Sequence, residues 1–369
     1  MADIKVEKLA QTLVDYSVSI REGDRVLING SSLAEPLLME IYSRVLQAGG
    51  HPLMMASLPG TEEIFFRNAS EEQLKHVPKP LELAMETYDA RISILAESNT
   101  KALSNVDPEK IVTQQRARTE IMRTFMRRSA SGELRWTVAP FPTNSSAQDA
   151  EMSLSEYEDF VYGACLPDLN DPVGYWQRFS ARQEKLVTWL KGKNNVRVRG
   201  PETDLHLSIS GRTFINCDGH HNMPDGEIFT GPVEDSISGN VLFSYPTIYR
   251  GRELTGVRLW FEKGKVVKAS ADKNEDFLLQ TLETDPGSRF IGEFAIGTSP
   301  GITRFTREIL FDEKIGGSFH MALGAGYPET GSKNESAIHW DMICDLRDGG
   351  EIWVDDERFY QNGEFIIDF

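Results

Sequence analysis

The chain is poor in the features that mark several large protein classes. It holds only three cysteines among 369 residues, Cys165, Cys217 and Cys344. Their odd number and wide spacing exclude a disulfide framework and a cysteine zinc site, and they suit a reducing cytoplasm. No window approaches the roughly 20 consecutive apolar residues that span a bilayer. The N-terminal stretch MADIKVEKLAQTLVDYSVSI scatters charges through an amphipathic pattern and lacks the apolar run of a signal peptide. Basic charge is scarce: 39 Lys and Arg stand against 56 Asp and Glu, a net charge of −17. Nucleic acid and anionic membrane surfaces need a basic footprint that releases counterions, so neither is expected as a partner. The zincin motif H-E-x-x-H, the dinucleotide fingerprint G-x-G-x-x-G and the phosphate loop G-x-x-x-x-G-K-[ST] are all missing.

What is present is an ordinary soluble composition, 40% hydrophobic and 26% charged, on a chain too long for one ordinary core. Two domains, or one large domain with an annex, are expected. Val6, Leu9, Leu13 and Val14 repeat with helical spacing, a turn at Glu22-Gly23-Asp24 follows, and RVLING reads as a strand. In SSLAEPLLMEIYSRVLQAGG the residues Leu33, Leu37, Leu38, Ile41, Val45 and Leu46 form a helical stripe between a serine cap and a Gly49-Gly50 stop. HPLMMASL is the next strand. This is a β-α-β unit, which predicts parallel pairing and an α/β N-terminal domain.

The stretch IVTQQRARTEIMRTFMRRSASG carries Arg116, Arg118, Arg123, Arg127 and Arg128. A single aromatic, Phe125, falls among the arginines, fewer than nucleic-acid binding would want, so a solvated face or a domain contact is expected. WTVAPFPT closes the first domain, and helices over EYEDFVYGAC and YWQRFSARQEKLVTWLKGK form an extension. From Asn195 onward the texture turns to short β-type runs, including a hairpin about Lys263-Gly264. The predicted fold class is therefore α/β: an N-terminal α/β domain with βαβ units and helical extension over 1–194, then a C-terminal α+β domain rich in short strands over 195–369.

The polar residues suited to chemistry gather in the second part. In SAIHWDMI the alternation of polar and large apolar residues predicts a strand that projects His339 and Asp341 from one face. His320 and Tyr327 bracket two glycines in HMALGAGY, so the backbone can bend and bring both toward one point. Glu227 in NMPDGEIFTGP and Glu293 in FIGEFAIG each follow a glycine and open an apolar run. A carboxylate carried into a buried segment needs a partner, and both a divalent ion and an arginine such as Arg289 qualify. His220 and His221, adjacent in GHHNMPDGE, fit either a plain loop pair or a substrate-facing role.

The motifs GEIFTGP (226–232), GEFAIGTSPGI (292–302), the His320–Tyr327 run and SAIHWDM (336–342), with the opening helix and RVLINGSSLAEPLLMEIYSRVLQAGGHPLM, resemble the cytosolic metallo-aminopeptidases of the aminopeptidase T, S and II family. The resemblance runs through the whole chain. It implies a dinuclear site held by Glu227, Glu293, His320, Tyr327, His339 and Asp341, with Glu227, Glu293 and Tyr327 also candidates for catalytic roles. It further implies removal of N-terminal residues from short peptides, two divalent ions per chain (zinc, cobalt, manganese or magnesium), a cytoplasmic setting and a homodimer. Ring-cleaving dihydroxypyridine dioxygenases look similar too. They would need a single iron on His320, His339 and Asp341, and the pair Glu227 and Glu293 distinguishes the two readings. A non-catalytic binding protein, stable in chelator, is the third.

Overall fold

The computed structural model describes residues 3–367. The chain divides into two compact units, one running through Trp176 and including Gly219–Pro224, the other made of Gln177–Asp218 and the residues from Asp225 onward.

The first unit is built on four parallel strands, β1 (Arg25–Ser31), β2 (His51–Ser57), β3 (Ala90–Leu95) and β4 (Arg135–Pro140), in the order β2-β1-β3-β4. Parallel neighbours need crossovers, and the helix Glu35–Gln47 supplies the one between β1 and β2. Its buried stripe is narrower than the sequence pattern, consisting of Leu37, Leu38, Ile41 and Val45, while Leu33 and Leu46 stay 37% and 54% exposed. Leu33 falls in a separate single turn, Ser32–Ala34, ahead of the helix, and Leu46 lies 100° round from Val45. The opening helix Ile4–Gln11 continues into a wider π-turn, Thr12–Ser17, and buries Leu9, Leu13 and Val14 completely.

The arginine-rich stretch forms two helices, Pro108–Ala117 and Thr119–Ala130, separated at Arg118. Arg128 departs from the expected solvated face: it is buried and donates from Nη1 to the carbonyls of Met85 (2.9 Å) and Tyr88 (2.8 Å). Those carbonyls lie at the end of the helix Lys79–Thr87, where backbone acceptors have no partner within the helix.

The second unit begins inside the helix Pro172–Leu190, ahead of the boundary near 194 expected from the change of texture. Leu186 and Leu190 of that helix join the same core as the following strands, which places its C-terminal part with them. Gly219–Pro224 returns to the first unit because Val138 of β4 exchanges backbone bonds with His221 and Met223, both at 2.9 Å. In the second unit, an antiparallel eight-stranded sheet runs in spatial order through 265–270, 257–262, 238–243, 203–208, 195–200, 351–354, 357–361 and 364–365. The 257–262 and 265–270 strands are the expected hairpin, with Lys263 and Gly264 both at positive φ.

A second antiparallel sheet is a meander of β5 (Ile215–Cys217), β6 (Glu227–Thr230), β7 (Ile291–Gly297), β8 (Ser318–Gly324) and β9 (His339–Asp345), neighbours in that order. One face of it is apolar. Ile228, Phe294, Ile296, Phe319, Met321, Leu323, Trp340 and Met342 are all buried in the main core. Trp340 stacks on Tyr249 at 4.8 Å and donates from Nε1 to Thr247 Oγ1 at 2.8 Å. That face anchors the sheet rigidly, and period-2 alternation sends the remaining side chains to the other face. Among the described residues no helix is long and apolar enough to cross a membrane.

Candidate metal centre

The register of the meander sets the opposite face. Gly297 of β7 pairs with Glu227 of β6, Glu293 of β7 with Ala322 of β8, Ala322 with Asp341 of β9, and Gly324 with His339. His320 of β8 lies opposite Ala295 of β7. Small residues at 295, 297, 322 and 324 thus alternate with the polar ones, so long side chains on different strands converge above them.

The glycines before the two glutamates have steric reasons. Gly226 takes φ +135°, and a Cβ there would stand 2.8–2.9 Å from Ser299. Gly292 sits in a bulge where the β7–β8 register shifts, and a Cβ would meet the Ala325 carbonyl oxygen at 2.2 Å. Each glycine lets the chain pass a neighbouring backbone just before its carboxylate enters the site.

The distances are short. His320 Nε2 lies 3.2 Å from Glu227 Oε2 and 3.3 Å from Glu293 Oε1. His339 Nε2 lies 3.6 Å from Glu293 Oε2 and 3.5 Å from Asp341 Oδ2. Glu293 therefore turns one oxygen to each histidine. His339 Nδ1 donates to the Ala325 carbonyl at 2.9 Å, which fixes the ring and leaves Nε2 for the site. Tyr327 packs edge-on against both His339 and Phe229, each at 5.3 Å between ring centres. The structure thus brings the whole expected set, Glu227, Glu293, His320, Tyr327, His339 and Asp341, to one place. Arg289 is not the partner of Glu293, since it pairs with Glu283 and the Val266 carbonyl.

Burial makes this an electrostatically loaded cluster. It pushes the Glu227 carboxyl up to about 8 and also raises that of Glu293. Burial alone would lower the two imidazoles. The Glu293 hydrogen bond and the Glu227 charge outweigh it at His320, pushed up to about 9. At His339 the bond and charge of Asp341 do the same, up to about 10. Asp341 is itself held below its ordinary range, because the His339 hydrogen bond and charge overcome burial. Burial and the carboxylates Glu293 and Asp341 keep the Tyr327 phenol protonated far above its usual range.

The donor set fits divalent metal. Glu227, Glu293 and His320 have ligand atoms within 4.8 Å of one another, as do Glu293, His339 and Asp341. Oxygen and imidazole donors at that spacing suit zinc, cobalt or manganese. The buried atoms Glu227 Oε2 and His320 Nδ1 have no hydrogen-bond partner, a cost that a bound cation would relieve at the carboxylate.

Three residues of this cluster escape a reading of the sequence. Lys314 is completely buried, with Nζ 3.8 Å from Glu227 Oε1 and a short contact to Glu313. Burial would lower its pKa, but Glu313, Glu227 and Asp225 hold it well above the ordinary lysine value. Glu313 also falls in ligand range of His320 and Asp341, and Asp225 in range of Glu227 and Cys217. The run Asp312-Glu313-Lys314 looks like a solvated turn. His220 and His221 belong to the first unit: His220 packs on Tyr16 and His221 stacks on Trp136, each at 4.6 Å.

An α/β N-terminal half, followed by a strand-rich half that gathers carboxylates and imidazoles on one sheet face, defines a metal-dependent class of protein. The chain belongs to the thermophilic metalloprotease (M29) family, whose model matches residues 2–365. It is 26% identical to Aminopeptidase 2 of Geobacillus stearothermophilus, over 93% of this chain and 92% of that one. Its fold matches the solved structure of wild-type AmpT from Thermus thermophilus with a TM-score of 0.86 at 22% identity, covering 98% and 99% of the two chains. A looser match, TM-score 0.60 at 14% identity over 98% and 97%, is to 2,5-dihydroxypyridine dioxygenase from Pseudomonas putida.

Proposed function

We propose that this chain is an aminopeptidase that removes the N-terminal residue of short peptides at a site of two divalent ions. The observation that carries this reading is Glu293, which belongs to both ligand triads and presents one oxygen to each. Glu227, Glu293 and His320 would hold one ion; Glu293, His339 and Asp341 would hold the other, with Tyr327 beside His339. When bound, such a pair supplies Lewis acidity toward the peptide carbonyl and acidifies a water for attack.

The chain's own residues do the rest. The Ala325 carbonyl holds His339 in one tautomer and orientation. Tyr327 keeps its proton and is a donor toward the oxygen that gains charge as the carbonyl becomes tetrahedral. A site carboxylate, Glu227 or Glu293, carries the proton from the attacking water to the leaving amine. The free α-amino group of a peptide, as the neutral amine, would complete the coordination of one ion, which accounts for cutting at the N-terminus.

The dioxygenase reading needs His320, His339 and Asp341 around a single ion. Among the described residues, no candidate ligand group contains both histidines. A cytoplasmic setting and a homodimer complete the proposal. Three free cysteines support the first, and sizing the native protein tests the second.

The direct test is to load the metal-free chain with zinc, cobalt, manganese, magnesium or ferrous iron and assay leucyl-p-nitroanilide, short peptides and dihydroxypyridine. Hydrolysis with close to two ions per chain supports the proposal. Ring cleavage with one iron, or full stability and less than one bound ion after supplementation, overturns it.

A further inference from the structure

We propose that Lys314 is a fixed cation built into the site, which weakens the ion position on the Glu227 side. The two positions would then fill in order, Glu293–His339–Asp341 first and Glu227–Glu293–His320 second. This inference rests on the dinuclear reading above.

The argument starts from the likeness of the two triads. Each has two carboxylates and one imidazole, and each shares Glu293. By these three donors they are equal. Tyr327 beside His339 adds an oxygen on that side only and favours the same order, so Lys314→Met is the variant that isolates the charge effect. The electrostatic difference between them is the ammonium of Lys314. Its Nζ lies 3.8 Å from Glu227 Oε1 and also contacts Glu313. Lys314 makes no ion pair with Glu293 or Asp341 among the described residues; its charge is the strongest one felt by Glu227, whereas at Asp341 it ranks behind both histidines.

Glu227 is divided by this arrangement. Its Oε1 faces the ammonium, and its Oε2 faces His320 Nε2 at 3.2 Å. Part of its charge is therefore already spent on a cation that cannot leave, since Lys314 is fully buried. Glu293 carries no such load, because its two oxygens face only the two histidines. Glu313 supplies a compensating negative charge, but its oxygen lies in ligand range of His320 and Asp341 alike, so it serves both positions. The asymmetry that remains is an ammonium against Glu227, and a dication entering there meets like charge in a water-poor site. The expected handicap is about tenfold or more in affinity.

A lysine that merely filled space would impose no such order. The experiment is calorimetric titration of the metal-free full-length protein with Mn(II), read as two association constants rather than as activity. The wild type should show two events separated by about tenfold or more. Asp341→Asn should abolish the tighter event, and Glu227→Gln the weaker one. Lys314→Met, which keeps length and removes charge, should tighten the weaker event by about tenfold or more and shift the tighter one by less than about threefold.

Two ions of equal affinity in the wild type would overturn the inference and leave the dinuclear reading standing. Loss of the tighter event in Glu227→Gln, or an unchanged or weakened second event in Lys314→Met, would do the same. A single ion per chain that persists in Glu227→Gln and vanishes in Asp341→Asn would overturn both. Where Lys314→Met fails to fold, the wild type and the two carboxylate variants still test the order of filling, and Lys314→Gln tests its cause by the same tightening of the weaker event.

Discussion

The two halves of this molecule divide space and chemistry between them. The first unit has a cleft of about 950 Å³, lined at the C-terminal ends of its parallel strands by Asn29, Ser31, Ser57 and Glu97. Sheets of the order β2-β1-β3-β4 place a crevice there by topology, where the chain reverses its direction of winding. Yet every group of side chains able to hold a metal among the described residues lies in the second unit, between Cys217 and Asp341. Cavity volume and metal-binding chemistry therefore point to different units of this chain. Parallel strands joined through helical crossovers leave room at their ends. An antiparallel meander anchored on one face brings side chains within 4 Å of each other on the other face, from adjacent strands (His320 and Glu293) and from strands one apart (His320 and Glu227, His339 and Glu293).

The sharpest way to break this comparison is to remove charge from the shared carboxylate. Glu293→Gln should keep the fold, by circular dichroism, while peptide hydrolysis falls on the order of 10³-fold. Unchanged turnover would remove Glu293 from the centre.

Packing gives the next largest effect. Phe294 lies under the site on β7 and Ile92 in the core of β3, both essentially unexposed. Phe294→Ala should cost about 3–5 kcal/mol and Ile92→Ala about 2–5 kcal/mol in denaturant unfolding. Only the first should also weaken metal binding in titration, because only it loosens the strand that carries Glu293.

Proton release sharpens the contrast further. In the metal-free chain His320 and His339 are pushed up to about 9 and about 10, so both carry protons at pH 7. Loading metal must expel them, which a weakly buffered titration reads as acidification, and affinity should fall as pH drops below about 9. The stability sign follows. Histidines raised above about 6.5 stabilise the folded state fully below that pH and lose the effect as pH rises through 9 to 10. Glu227, raised to about 8, acts in the same direction: its folded form keeps a proton that the unfolded chain has lost. The metal-free protein should therefore lose stability toward alkaline pH more steeply than the metal-loaded one.

The smallest effect tests the first unit alone. Ser153 and Glu156 form a capping box at the start of the helix Leu154–Cys165. Ser153→Ala should cost about 1 kcal/mol, seen as a small fall in melting temperature, with metal affinity unchanged.

Much of this was legible in the residues because local rules dominate there. The alternation in SAIHWDMI reports a strand with one buried face, and Trp340 and Met342 occupy it as expected. Gly226 and Gly292 mark the places where a carboxylate is brought past a neighbouring backbone. The arginine stretch was less legible. Helical spacing cannot say that Arg128 turns inward to serve carbonyls at 85 and 88, forty residues earlier in the chain. Nor does a loop of adjacent histidines reveal that Tyr16 and Trp136 engage their rings.

By itself the sequence determined the parallel βαβ start, the strand-rich second half and the family. It also determined the donor types, because periodicity, glycine placement and motif are properties of neighbouring residues. Tertiary structure alone decided that Glu293 reaches two histidines, that Ala295, Gly297, Ala322 and Gly324 leave room above the sheet, and that Lys314 is buried against Glu227. The physical reason is register. Which residues face one another across five strands depends on hydrogen bonds between segments as much as 70 residues apart, as for Glu227 and Gly297, and no local pattern encodes that pairing.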